Sequence, residues 1–489
     1  MNAIKKIISV AGIALLVCMS LSCRSAENEN ECEIENGNGN EVELAAPSLR
    51  VIYSPYFPMG NIVAYRHHRR HSDIAAVTTG PGVATTRAQA DARGQLLRRH
   101  FDILTAEDEM KPDFIHTLNL GQFNWTRANN IMAFAEENGM RVHGHALAWH
   151  SQTPAWLFAD GDREQAAANL REHINTVMRH PAFARIESWD VLNEVIASSV
   201  NSSSGTIPVT AANWREHLRG NNAGESRWFS SIGSSVVDPD NNCFIWIAFT
   251  EARRVADELD IAAGRPVGST ILYYNDYNEE QPNKREAIFF MVQEMNQKFA
   301  DQNPGRRLID AIGMQAHYHV GGTGAAYPWA LTVSNVYASI NRFAELDVYI
   351  SITELDLTVG HTGNAQGGNI TRPIGDPLTA QQARQQAVIY AQLFRIFRNF
   401  ARENPGRLRR VSLWGIDDPG SWRHRGSPHL WDGNLQPKEA FWAAADPDAF
   451  LLPDGQPRPA SEIDAFLADP KANGSGFIPA DAWLLHLAD

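Results

Sequence analysis

From about residue 50 onward, short apolar runs alternate with stretches in which apolar positions recur every three or four residues, the spacing of a helix burying one face. Eight runs have the length of strands: Met59 to Val63, Ile103 to Thr105, Val142 to Leu147, Ser188 to Leu192, Thr270 to Tyr274, Ile312 to Gln315, Val348 to Thr353 and Val411 to Trp414. Between them lie amphipathic stretches such as the one carrying Leu170, Ile174, Val177 and Met178, and another carrying Val388, Ala391, Leu393 and Ile396. Eight strand–helix units in about 390 residues predict an α/β fold, a (β/α)8 TIM barrel forming one domain with long rim loops. A doubly wound open sheet is the alternative. Against it, neither GxGxxG nor GxxxxGK[ST] follows any of the runs.

Two stretches read as inserted loops: residues 64–90, with the basic run Arg66 to His71, and residues 198–224, rich in Ser, Asn and Gly. Each follows a strand and precedes a helix, which in a barrel places it on the C-terminal rim, where binding residues sit. The basic run itself reads as a solvated loop. The barrel is expected over residues 50–448, and residues 449–489, with five prolines from Pro453 to Pro479, as a tail packed on its surface.

The chain has 489 residues, 44% hydrophobic and 20% charged, which argues against disordered, collagenous and disulfide-scaffold classes. Its formal charge of -13 disfavours nucleic acid as a partner, because phosphate-tracking surfaces need clustered Lys and Arg. Residues 1–22 read as an export signal, with Lys5 and Lys6 ahead of the apolar Ile7 to Val17. Ser20-Leu21-Ser22-Cys23 resembles a bacterial lipoprotein cleavage box, which leaves both a lipid anchor at Cys23 and simple secretion open. Either way the protein is expected at the cell envelope or outside it. Residues 23–49 interleave seven glutamates with Asn and Gly and read as an acidic flexible tether. The four cysteines make neither a disulfide framework nor a paired-Cys metal site, and Cys243 is expected as a buried thiol.

Chemistry is concentrated where the apolar runs end. Glu194 and Glu354 each follow such a run directly, and a charge there costs free energy unless it faces a polar cleft. Two carboxylates on different strands facing one cleft can cleave a glycosidic bond by acid/base chemistry, and Trp149, Trp414 and Trp422 near the same rim offer faces for sugar rings. A metal-dependent hydrolase is the other reading. His143 and His145 lie two apart on a strand, so both imidazoles could face one ion, with His317 further along.

Ordered motifs on six or more strands then point to one family. They are Leu104-Thr-Ala-Glu-Asp-Glu-Met-Lys111, His143-Gly-His-Ala-Leu-Ala-Trp-His-Ser-Gln152, Trp189-Asp-Val-Leu-Asn-Glu194, Asn275-Asp-Tyr-Asn278, Gln315-Ala-His317, Ile352-Thr-Glu-Leu-Asp356 and Trp414-Gly-Ile-Asp-Asp-Pro-Gly-Ser-Trp-Arg423. Over roughly residues 55 to 445 the chain resembles glycoside hydrolase family 10, the retaining endo-β-1,4-xylanases. The resemblance implies Glu194 as acid/base and Glu354 as nucleophile, with Asn193 donating to the sugar 2-hydroxyl. It implies that His317 and Asp356 orient Glu354 and keep it charged, and that His145 donates to the reacting sugar. Glu107, Asp108, Lys111, Gln315 and Trp149 would line the glycone side, Trp414 and Trp422 its wall, and Tyr277 a platform on the leaving side. No metal and no organic cofactor is implied, and the expected state is a monomer acting on xylan and xylo-oligosaccharides. One departure stands out: the family usually has Asn where this chain has Asp108, replacing an amide donor by an acceptor when ionised. A β-1,4-glucanase and an inert, surface-tethered glycan-binding lipoprotein are the competing readings.

Overall fold

The strands are all parallel: β1 (Met59–Val63), β2 (Ile103–Ala106), β3 (Arg141–His143), β4 (Ser188–Asn193), β5 (Ile271–Asp276), β6 (Ala311–Met314), β7 (Tyr349–Thr358) and β8 (Leu408–Leu413). In this computed structural model the described residues are 46–64, 87–117, 121–197, 208–220, 226–233, 243–321, 331–360, 370, 372–373 and 375–483. The hydrogen-bonded order is β3-β2-β1-β8-β7-β6-β5-β4. The sheet closes where Gly144, just after β3, bridges Trp189 of β4 in parallel. A glycine is required at that closure, since a Cβ at Gly144 would lie 2.1 Å from the Trp189 ring. The fold is the (β/α)8 barrel expected from the pattern.

Each predicted run carries a strand, and two of them are interrupted. After Gly144 the chain turns off the sheet, and a paired segment resumes at Ala148–Trp149, beside β4. After β6, Ala316 takes a positive φ of 59°, and pairing resumes at His317–His319 against the end of β7. β7 runs further than the apolar run suggested, through Asp356 to Thr358, so Glu354 lies inside the strand rather than beyond it.

The helices pack where their apolar stripes direct them. Arg163–Met178 starts at Asp162, whose carboxylate accepts from the Gln165 N–H, and it buries Leu170, Ile174, Val177 and Met178. Truncating Leu170 to Ala would cost about 2–5 kcal/mol. Ala380–Glu403 opens with a capping box between Thr379 and Gln382 and buries Ala391 and Leu393, while Val388 and Ile396 sit half-buried on its flank.

Four expectations change. Residues expected in the tether are packed: Ala46 and Leu49, ahead of residue 50, are fully buried, and Ser48 Oγ donates to the Arg99 carbonyl. The helix Arg87–His100 begins inside the stretch expected as a loop, while the basic run lies outside the described residues, as do Cys18, Cys23 and Cys32. Cys243 stands at the N-cap of Phe244–Ala262, only partly covered, because the cap precedes the buried face of the helix. Residues 208–220 of the second expected loop are docked. Trp214 is buried with its indole N–H on Glu294 Oε2 (2.9 Å), and Arg215 pairs with the same carboxylate. Towards the C-terminus, Pro447–Phe450 and Ala460–Ala468 bury Phe450, Ile463 and Phe466, and Arg395 of the helix Ala380–Glu403 donates to the Leu451 carbonyl. No helix among the described residues is long and apolar enough to cross a membrane.

Candidate active site

Parallel register brings the polar strand ends into rows. Trp149, Asn193 and Asn275 are register partners across three adjacent segments, and Asn275 is paired in turn with Gly313. A Cβ at Gly313 would lie 2.3 Å from Asn275 Oδ1, so the missing side chain is what lets the Asn275 amide lie across β6. Its Nδ2 donates both to Glu354 Oε1 (2.7 Å) and to Asn193 Oδ1 (3.0 Å), while its Oδ1 accepts from Thr353 Oγ1 (2.7 Å). Gln315 Nε2 donates to the same Asn193 oxygen (3.0 Å) and to Glu194 Oε1 (3.1 Å). A chain of amides therefore joins the two glutamates. It also fixes Asn193 with its oxygen as acceptor and its Nδ2 as donor, 3.4 Å from Glu194 Oε1.

Glu354 is held by a cation. His317 Nε2 lies 3.1 Å from Glu354 Oε2, and its Nδ1 lies 3.1 Å from Asp356 Oδ2, an ion-pair contact outside good hydrogen-bond angles. The pair forms because His317 and Asp356 are register partners across the resumed strand. Burial works against a charged imidazole, but the Asp356 and Glu354 carboxylates outweigh it and push the His317 pKa up to about 9. Asp356 is fully buried, which favours its neutral form, yet the Arg423 guanidinium and His317 hold it well below the usual carboxylate range. Trp422 Nε1 donates to its Oδ2 (3.2 Å). Charges thus alternate along Glu354, His317, Asp356 and Arg423.

Glu194 has different company. It takes a positive φ of 60°, which turns the chain off β4 at this residue. Burial raises its pKa, and Asp276 raises it further, whereas Arg219, Gln315 and the Trp149 indole act to lower it. His150 Nε2 stands 4.0 Å from Glu194 Oε2, and burial together with Arg219 and Lys284 lowers the His150 pKa to about 3, leaving it neutral. Arg219 donates from Nε to the Glu194 carbonyl (3.0 Å) and from Nη2 to the Tyr277 hydroxyl (2.8 Å).

Two buried glutamates thus share one polar cluster at the strand ends, one set against a cation and one whose acid form burial favours. Residues 71–447 of the chain match a family model described as glycosyl hydrolase family 10. The chain belongs to glycosyl hydrolase family 10. It is 31% identical over 403 residues to a β-1,4-xylanase of Dictyoglomus thermophilum, covering 81% of this chain and 90% of that one. It is 29% identical to endo-1,4-β-xylanase B of Paenibacillus barcinonensis, covering 74% and 93%. It spans only 31% of the length of endo-1,4-β-xylanase A of Thermotoga neapolitana. Among solved structures, the native form of CbXyn10B matches with a TM-score of 0.60 at 27% identity, covering 82% of this chain and 99% of that one. A mutant of TsXylA, an intracellular xylanase of Thermoanaerobacterium saccharolyticum, solved with xylotriose, matches with a TM-score of 0.58 at 27% identity, covering 82% and 98%.

The other expected members of the family 10 site gather on the same rim. Glu107 is buried at the end of β2. Lys111 Nζ reaches Asp108 Oδ1 (3.0 Å) and Gln152 Oε1 (2.8 Å) and lies 5.1 Å from the Trp149 ring centroid, while Gln152 Nε2 donates back to Asp108 Oδ1 (3.0 Å). Asp108 therefore enters an ion pair where an asparagine would have been neutral. Trp414 meets the rings of His145 and His317 edge-on at 5.4 Å and 6.4 Å, and Trp422 is 42% exposed. Gln315 turns its amide Nε2 to Glu194 and Asn193. One placement differs from expectation: Tyr277, expected as a platform on the leaving side, is only 4% exposed, with Lys284 Nζ 3.8 Å from its ring centroid and Arg219 on its hydroxyl.

Sequence reading missed Asn275, Arg219, Asp190, His150 and Arg423 as working parts. Asn275, Arg423, Asp190 and His150 all stood within quoted motifs, so position was available as a signal. Arg219 had none, lying in a stretch that read as a polar loop. Asp190 also bears on the metal reading. His145 Nδ1 binds its Oδ2 (2.8 Å), His143 Nε2 lies 3.1 Å from its Oδ1, and His143 Nδ1 is met by Arg410, so these nitrogens are turned to protein groups. Among the described residues no group of His, Cys, Asp and Glu is arranged to hold a metal ion.

Proposed function

We propose that the protein is a retaining endo-β-1,4-xylanase that cuts internal bonds of xylan by double displacement, exported and held at the envelope or released. The observation that carries the reading is the asymmetry of the two glutamates. A nucleophile must be ionised to attack the anomeric carbon, and Glu354 faces the His317 imidazolium. The partner must hold a proton for the leaving oxygen, and burial favours the acid form of Glu194. Attack by Glu354 with proton transfer from Glu194 gives a glycosyl-enzyme. Glu194, now a base, then takes a proton from water as that water displaces Glu354. Asn193, with its oxygen already satisfied, offers its N–H groups to the sugar 2-hydroxyl.

The xylan preference rests on the names and bound ligand of the relatives. One of them favours a second reading: an exoglucanase of Acetivibrio thermocellus is 28% identical over 430 residues. Reducing-sugar assays on xylan and carboxymethyl cellulose, with the anomeric configuration of the first product read by proton NMR, test both. Release of β-anomers from xylan and little from the cellulose derivative is expected. Preferential cleavage of the glucan would favour the second reading, and α-anomers would overturn the double displacement.

A further inference from the structure

Lys284 sits where its charge is doubly disfavoured. It lies in the first turn of the helix Pro282–Gln302, where the positive end of the aligned peptide dipoles opposes a cation, and it is fully buried. A buried ammonium is costly unless an anion is set against it. Its Nζ meets Asp276 Oδ1 at 2.7 Å, and Asp276, the last residue of β5, is buried as completely. The Tyr277 ring packs against the same ammonium, its centroid 3.8 Å from Nζ.

The other contacts of Asp276 lead towards Glu194. Asn275 points into the barrel, where it donates to Glu354, so Tyr274 and Asp276 on either side of it face the helix layer. Glu194 turns the chain off β4, and the next two backbone N–H groups go to these side chains. Val195 and Ile196 both donate to the Tyr274 hydroxyl (3.1 Å each), and Ile196 also donates to Asp276 Oδ2 (3.3 Å). The Tyr274 hydroxyl donates in turn to Asp276 Oδ2, while the Tyr277 N–H donates to Oδ1 (2.8 Å). Both oxygens of one carboxylate thus hold the turn after β4, and Lys284 anchors that carboxylate from outside the sheet. Glu294 of the same helix receives Trp214 and Arg215, so one helix supports this wall of the site at two points.

We propose that Lys284 is a positioning residue for proton transfer by Glu194: through Asp276 and Tyr274 it holds the backbone turn from which that side chain projects. The effect on proton transfer rests on the proposed function, whereas the clamp on the turn stands on geometry alone.

Two measurements separate these halves. Hydrogen exchange of the unliganded full chain, read by mass spectrometry over a peptide spanning Val195 and Ile196, should quicken about tenfold in Lys284→Met, while a peptide from β1 keeps its wild-type rate. Lys284→Gln, which retains a donor for Asp276, should fall between. On xylobiosides, Lys284→Met should lower kcat/KM about thirtyfold with a phenyl leaving group and less than about threefold with dinitrophenyl, whose oxygen needs no proton. Tyr274→Phe, which removes the shared acceptor and keeps the lysine, should give the same pattern. Exchange unchanged at Val195 and Ile196, exchange quickened equally in β1, or equal losses on the two substrates would overturn the proposal. Should Lys284→Met not fold, Lys284→Gln decides by the same readings. Quickened exchange at the turn, in a protein whose wild type is inactive on xylosides, would refute the proposed function and uphold the clamp.

Discussion

Glu354 and Glu194 are buried to a similar degree, 4% and 7% exposed, yet the halves of the site around them work differently. On the β6–β7 side, Glu354 ends a line of alternating full charges, His317, Asp356 and Arg423, in which each ion is offset by its neighbour. On the β4–β5 side, Glu194 is met mainly by neutral groups, the Gln315 amide, the Trp149 indole and the His150 ring, with Arg219 close enough to bias it. Similar burial therefore meets different company, a cation beside Glu354 and burial that favours the acid form of Glu194, which is the asymmetry that a reaction needing one ionised and one protonated carboxyl calls for.

The strongest way to break this contrast is to remove Glu354. Glu354→Ala should lose hydrolysis by at least about four orders of magnitude, and added azide should restore turnover of an activated aryl xylobioside, yielding a glycosyl azide of inverted configuration. Near wild-type activity without azide would sink the assignment. Removing the other glutamate should give a loss that depends on the leaving group. Glu194→Ala is expected to fall by about 10²–10⁴ on xylan, but to form the intermediate readily from a dinitrophenyl xylobioside, whose departing oxygen needs no proton. Equal losses on both substrates would count against the acid role.

How much of this contrast was legible beforehand follows its physical origin. The two glutamates could be read because a charge directly after an apolar run is an anomaly visible in one dimension. The barrel strands could be read because their burial leaves apolar runs. The breaks after β3 and β6 could not, since Gly144, Ala316 and their surroundings mark them only through contacts with Trp189 and with β7. Partner choice was hidden for the same reason: Arg423 is 67 positions from Asp356, and Arg410 is 267 from His143. Arg219 and Trp214 were masked by company, two anchored side chains beside a run of Ser, Asn and Gly.

The cation beside Glu354 should also be visible in stability. Its folded pKa of about 9 stands above the ordinary 6.5, so the contribution of His317 is complete below pH 6.5 and is lost as the pH rises through about 9. Denaturant melts of wild type and His317→Asn should therefore differ most near pH 6, by a few kcal/mol at most, with the gap closing towards pH 9. A gap that widened with pH would mean that His317 is neutral in the folded enzyme. Activity of the same variant should fall about a hundredfold, because Glu354 loses the cation that holds its carboxylate in place.

The smallest effect sharpens the Glu194 side. Arg219 acts to lower the Glu194 pKa, while burial and Asp276 act to raise it. Replacing it by Met removes that opposing charge, so Glu194 should keep its proton to higher pH. The basic limb of kcat/KM, which reports the acid in the free enzyme, should then move to higher pH. Arg219 also holds the Glu194 carbonyl and the Tyr277 hydroxyl, so a three- to tenfold loss at neutral pH is expected, a barrier change within about 1.4 kcal/mol. Arg219→Lys keeps the charge and loses the fork of donors, and should leave the limb near its wild-type position while showing part of the rate loss. A basic limb that stayed put or moved down in Arg219→Met would show that Arg219 serves only to anchor the turn after β4.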